Sequence, residues 1–376
     1  MAGIYIHIPF CRKACDYCNF HFSTSLRRKA GLIDAICSEL ETRKDYLRNE
    51  AVESIYFGGG TPSLLEVQEV EKILKQLHRQ FEVNSDAEVS LEANPDDLDI
   101  AKLEGLKSAG INRLSIGIQS FRQEELNMLG RMHSAQDAVQ CLMNARQTGF
   151  DHVSIDLIYG IQNSTEESWM NNLEQLKELE IEHFSAYSLT VEPKTTLAHR
   201  IKKGVKTNVD EELMRDQYYV LKEFAKQNGF IHYEISNFSK DGCFSIHNSN
   251  YWKNNKYLGV GPSAHSYNLE SRQWNLSVNS QYIDAINNGQ SFFEKEKLSP
   301  VDRFNEGLML GLRTIWGANL IELFGTHTPV NSDQFNNRLV YYENMEFIER
   351  KGNQILLTDE GILFSDRIIS DLFIDS

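Results

Sequence analysis

IYIHIPFCRKACDYCNF, residues 4–20, is an apolar run that ends in three cysteines, Cys11, Cys15 and Cys18, spaced C-x3-C-x2-C. The run reads as a β-strand and the cysteines as the loop at its C-terminal end. Outward from it the same rhythm repeats. SIYFGGG (54–60) precedes a helical pattern over 64–80, EVSLEANP (88–95) one over 99–109, and RLSIGIQS (113–120) one over 135–147. HVSIDLIYG (152–160) is followed by a helix over 166–179, and HFSAYSLTV (183–191) by one over 211–227. With a first helix over 26–47, that makes six βα units. Strands alternating with helices require a parallel sheet covered by helices, either an incomplete (β/α) barrel or a doubly wound open sheet. In both, chemistry gathers at the C-terminal strand ends. Those ends carry the cysteine loop, Gly58 to Thr61, Glu92 with Asn94, Gln119 with Ser120, and Asp156.

After about Phe238 the rhythm stops. Residues 239–298, with HNSNYWKNNKYLGVGPSAHSYN at 247–268, read as a loop-rich connector. From 299 to 376 the pattern is three helices, two short strands and a helix, as in a small α+β winged-helix-like domain. The expected third helix holds Asp333 and Glu343 against Arg338, which argues against DNA reading.

The chain has 376 residues, 41% of them hydrophobic, and a formal charge of -15. Such an acidic chain does not suit a nucleic-acid partner, whose phosphates need clustered Lys and Arg; RRK at 27–29 reads as a solvated helix face. No run of about 18 apolar residues offers an integral membrane segment, and no signal-peptide pattern opens the chain. The expectation is a cytoplasmic protein that reaches membranes only peripherally, through its clients.

Six cysteines in so long a chain do not make a disulfide framework. Three thiolates leave a tetrahedral structural zinc site incomplete, but suit a 4Fe-4S cluster with one iron open to a small ligand. Zinc with a remote fourth ligand such as His21, and plain buried thiols, are the bland alternatives. Cys37 and Cys141 read as core side chains in helices, and Cys243 as a loop residue outside the site.

YIHIPFCRKACDYCNF with YFGGGTPS resembles the radical S-adenosylmethionine (SAM) superfamily, in its oxygen-independent coproporphyrinogen III oxidase-like branch. LEANP, IGIQSF, LGRMH, IDLIYG, HNSNYW and GVGPSAHSY extend the resemblance over nearly the whole chain. The resemblance implies a partial (β/α)6 barrel of the TIM type over 1–238. It implies a 4Fe-4S cluster on Cys11, Cys15 and Cys18, with SAM at the open iron. Tyr5, Tyr17, Gly58, Gly59, Gly60, Thr61, Glu92, Gln119, Arg131 and Asp156 match the positions that hold SAM. Asp156 also stands out physically: it interrupts an apolar run, where an unpaired charge is costly. The chemistry implied is reductive cleavage of SAM to a radical that abstracts hydrogen, supplied by the cofactors.

Within that branch the oxidases carry a fourth cysteine two residues beyond the third, after a long N-terminal extension. Here Phe20 holds that position and ten residues precede Cys11. Both features resemble the HemW family of haem chaperones instead, as does the HNxxYW motif of His247, Asn248, Tyr251 and Trp252. That likeness implies haem as a bound group, with His247 as its candidate axial ligand, apo-haemoproteins as acceptors, and room for a homodimer. Catalytic residues are not assignable from it.

Overall fold

The computed structural model describes residues 1–326 and 332–374. The six expected strands are β1 (Ala2–Ile8), β2 (Val52–Gly59), β3 (Val83–Ala93), β4 (Arg113–Gln119), β5 (His152–Tyr159) and β6 (His183–Ser188). They pair in parallel in sequence order. β7 (Ile231–Glu234) and β8 (Asn237–Ser239) turn back antiparallel beyond β6.

The connector is not a loop. It contributes β9 (Lys256–Val260), β10 (His265–Tyr267), β11 (Ser271–Asn275) and β12 (Phe293–Lys297), and helices Ile246–Trp252 and Asn279–Asn287. β9 runs parallel to β1 on the side opposite β2, so the expected six parallel strands become seven. The whole sheet reads β12-β11-β10-β9-β1-β2-β3-β4-β5-β6-β8-β7 and stays open. Close packing hid this segment in the sequence: a side chain on Gly259 would place its Cβ 2.0 Å from the His265 carbonyl oxygen. Such a run reads as turn-rich although it is strand.

Parallel strands covered on both faces usually read as continuous apolar runs; these alternate. Ile4, Ile6 and Ile8, Ile55 and Phe57, Leu91, Ile116 and Ile155 are buried in the main core with the helices. Between them, Tyr5 registers with Tyr56, Ser54 with Glu88, and Asp156 with Ser185. The concave face of the sheet is therefore polar, and side chains of period two present it to a lumen rather than to a second helix layer.

Helices follow the expected positions to within a few residues, and their starts are chemically marked. Ser134 and Asp137 form a capping box, as do Thr165 and Ser168. The last segment has its own core around Phe304, Leu308, Phe335, Leu339, Ile355 and Ile368. Its sheet, β13 (Ala318–Asn319), β14 (Ile348–Lys351) and β15 (Gln354–Leu357), pairs in the order β13-β15-β14. Helices Pro300–Leu312, Leu320–Thr326 and Ser332–Asn344 alternate with it as in a winged helix. It joins the large sheet at β7: Ile235 N–H donates to the Arg313 carbonyl and Ile315 N–H to the Tyr233 carbonyl, both at 3.1 Å. At the other edge, β12 shows Glu294, Lys295, Glu296 and Lys297 to solvent. Among the described residues no helix is long and apolar enough to cross a membrane.

Candidate functional site

The cysteine loop is closed at its base and braced at its middle. Ser23 N–H donates to the Pro9 carbonyl (2.6 Å) and Cys11 N–H to the Ser23 carbonyl (3.1 Å). Asp16 N–H donates to the Leu129 carbonyl (3.2 Å), while Leu197 N–H donates to the Asp16 carbonyl (2.7 Å). The buried Asp16 carboxylate pairs with Arg200 and with Lys206 (3.3 Å). Loop position is thus set by partners more than 100 residues away.

Cys11, Cys15 and Cys18 all reach the wall of one cavity of about 380 Å³ at the C-terminal ends of the strands. Eight of the ten residues expected to hold SAM stand on the same wall: Tyr17, Gly59, Gly60, Thr61, Glu92, Gln119, Arg131 and Asp156. The other two do not. Tyr5 donates to or accepts from His7 Nδ1 (3.1 Å), one layer beneath. Gly58 makes room inside the protein: a Cβ there would lie 2.8 Å from the Tyr56 ring, 2.9 Å from Tyr5 and 3.0 Å from the Glu92 carboxylate.

Burial sets the electrostatics. The Cys11 thiol is pushed up to about 11 by burial, against the Thr61 hydroxyl, which donates to its sulfur at 3.5 Å. Burial raises Cys18 as well. Glu92 accepts from the Tyr56 hydroxyl (2.9 Å) and the Gly59 N–H (3.0 Å), yet burial holds it up at about 7. Asp156 is held at about 6, again by burial, against the opposing Ser185 hydroxyl and Arg131. Arg131 donates to Asn94 (2.7 Å), the Gly117 carbonyl (2.8 Å) and the Cys15 sulfur (3.4 Å).

Gln119 has φ 61° at a register break in β4. Its neighbours are pinned: Phe121 N–H donates to Asn172 Oδ1 (2.7 Å), and Ser120 Oγ donates to Glu125 (2.6 Å). The Gln119 side-chain oxygen is buried without a partner. A buried acceptor with nothing to accept from needs a donor. With two buried carboxyl groups held above the ordinary carboxylate range and three thiols beside it, the cavity has the donor set for a thiolate-bound cluster and a small polar molecule with amino and hydroxyl groups.

His21, the example given of a remote fourth zinc ligand, faces away: its Nε2 is 3.0 Å from Asn279 Oδ1, off the cavity wall. Among the described residues no three His, Cys, Asp or Glu side chains converge as one metal ion requires. Cys141 is buried, Cys37 half-buried against the core, and the Cys243 thiol lies 3.5 Å from Glu182.

His247 lies in the short helix Ile246–Trp252 within the segment expected to be loop-rich, and is 2% exposed. Its Nδ1 is 2.9 Å from Ser54 Oγ and its Nε2 3.1 Å from the Tyr251 hydroxyl. Burial lowers it to about 3, so the ring is neutral. Sequence reasoning also missed Ser115, Gly117 and Tyr187 on the cavity wall; the alternating polar residues of the strands are the signal that finds them.

Gly60 gives a stability test. An added Cβ would lie 2.7 Å from the Phe10 carbonyl oxygen and 2.9 Å from those of Ile8 and the Phe10 nitrogen. Backbone does not yield cheaply, so Gly60→Ala is expected to cost about 2–3 kcal/mol in denaturant melts and to reduce iron loading, because Phe10 leads into the cysteine loop. A variant that melts like the wild type overturns this.

The pattern of the radical SAM superfamily matches residues 5–176. The chain is 32% identical over 371 residues to the heme chaperone HemW of Bacillus subtilis, covering 98% of each protein. The chain belongs to the HemW family of the radical SAM superfamily. It is 36% identical over 323 residues to the mitochondrial radical S-adenosyl methionine domain-containing protein 1 of Bos taurus, covering 83% of this chain and 73% of that protein. Among solved structures, coproporphyrinogen III oxidase (HemN) from Escherichia coli superimposes with a TM-score of 0.85 at 23% identity, over 99% of this chain and 90% of that one. That likeness establishes the shared fold. Phe20, the residue two positions beyond Cys18, lies at the cavity mouth with 71% of its surface exposed.

Proposed function

We propose that this chain is a cytoplasmic haem chaperone that binds haem and passes it to apo-haemoproteins, with a 4Fe-4S cluster on Cys11, Cys15 and Cys18. The observation that carries the reading is the match of 98% of the chain to a heme chaperone HemW; the three cysteines on one polar cavity wall support its cofactor side. Bound there, a cluster and SAM supply one-electron reductive chemistry. The protein's part is placement: Glu92 and Asp156 offer acceptors to amino or hydroxyl groups, Gln119 offers its unpartnered oxygen, and Gly59 and Gly60 let backbone approach closely.

His247 remains the proposed iron ligand. Its neutral ring suits that role, and Tyr251 must release Nε2 for iron to take it. The test is anaerobic reconstitution followed by a spectroscopic titration with ferric haem. Saturable binding is expected, weakened at least about tenfold, or about 1.4 kcal/mol, in His247→Ala. No saturable binding overturns the reading, and equal affinity in the variant removes the ligand. Coproporphyrinogen III, given with SAM and a reductant, is expected to stay intact; its decarboxylation would move the chain to the oxidase class.

A further inference from the structure

Helix Ile246–Trp252 is gripped by the same two strands that carry the acidic end of the cavity. The Ile246 and His247 N–H groups both donate to the Glu88 carboxylate at 2.9 Å, and Ser245 Oγ donates to it at 3.2 Å. Arg113 balances that charge at 3.6 Å. Glu88 precedes Glu92 by four residues on β3, hence on the same face. On β2, Ser54 holds His247 Nδ1, and the His247 ring stacks on Tyr56 at 4.9 Å and 17°. Tyr251 closes over the imidazole edge-on at 4.9 Å. Gly3 lies beside the Ser54–His247 bond: a Cβ there would sit 3.1 Å from Ser54 Oγ and 3.4 Å from the imidazole. The hydroxyl of Tyr56 then donates to Glu92.

We infer that His247 is a positioning residue for the cavity: by fixing the Tyr56 ring from below, it sets where and how firmly the Glu92 carboxyl is held. The inference rests on reading the cavity of Glu92 as a ligand site. The hydrogen-bonded route runs through the Tyr56 phenol, since His247 bonds Ser54 and Tyr251 and packs on Tyr56, whereas Glu92 bonds Tyr56 and Gly59; Tyr5, stacked on both rings at 6.5 and 6.2 Å, makes no hydrogen bond to either.

A double-mutant cycle tests this on the ligand-free protein. Groups without a shared partner add in their effects on stability, whereas groups coupled through one do not. His247→Ala and Glu92→Ala, singly and together, are expected to depart from additivity by roughly tenfold in the unfolding equilibrium constant. In a Tyr56→Phe background, which keeps the ring and removes its hydroxyl, the departure should vanish. If His247→Ala does not fold, His247→Gln enters the same cycle, since it removes the stacked ring. Additive effects, or coupling that survives Tyr56→Phe, overturn the proposal. As a second readout, calorimetry with S-adenosylhomocysteine on cluster-free protein should show His247→Ala and Tyr56→Phe each weakening binding about tenfold; wild-type affinity in both overturns it. The cycle contains no haem, so its failure is distinct from failure of the haem titration.

Discussion

Alanine at any one of Cys11, Cys15 or Cys18 is expected to abolish cluster assembly, with iron and sulfide falling to background after anaerobic reconstitution, while Cys37→Ala, Cys141→Ala and Cys243→Ala keep both. The six thiols differ in placement, not in chemistry. Three share a cavity wall inside a loop held by Ser23, Leu129, Arg200 and Lys206. The others are scattered over two helices and a turn. Burial keeps Cys11 and Cys18 protonated, so an anionic sulfur there depends on the metal's charge. With one sulfur gone, only two of the four irons keep a protein ligand, too few to retain the cubane. Full iron content in any variant of the first group refutes the assignment.

Glu92→Gln should do two opposite things. In ligand-free protein the Glu92 carboxyl titrates at about 7 because burial penalises its charge, against about 4.3 in an unfolded chain. The unfolded state therefore releases its proton first as pH rises. The resulting cost is absent below about pH 4, grows through the interval, and is complete above about pH 7, where it reaches roughly 4 kcal/mol. Glutamine removes it. Its amide oxygen can accept from Gly59 and its NH2 can face the Tyr56 oxygen, whose hydroxyl turns freely. The variant should be more stable than the wild type at pH 8, equal to it near pH 4, and bind SAM about 10–100-fold more weakly for want of a charged acceptor. Melts at the two pH values check the first part and calorimetry the second. A Glu92→Gln protein that is less stable at pH 8 contradicts the account. A site that gives up stability to hold an acid in readiness is a familiar trade.

Much of this was legible before any coordinates. The cysteine loop declares itself because its spacing is local, and the strand ends follow from the βα rhythm, which also brings eight of the ten expected SAM residues to one wall. What escaped is what distant partners decide. Helix Ile246–Trp252 is only seven residues long and rich in Asn and Ser, which favour turns when read alone; its stability comes from Glu88 and Ser54, more than 150 residues earlier. Tyr5 and Gly58 matched a motif but serve the layer beneath the cavity. The same holds for β9, where Gly259, and Gly261 just after the strand, mark close backbone approach to His265 and His7 rather than a break in the sheet.

The two rims of the long sheet are closed in different ways. One ends in a strand whose last four side chains alternate acid and base in water, and the other is capped by the backbone of residues 313–315. Growth by lateral strand addition, the usual route from an open sheet to fibres or edge-paired dimers, is therefore obstructed at both ends.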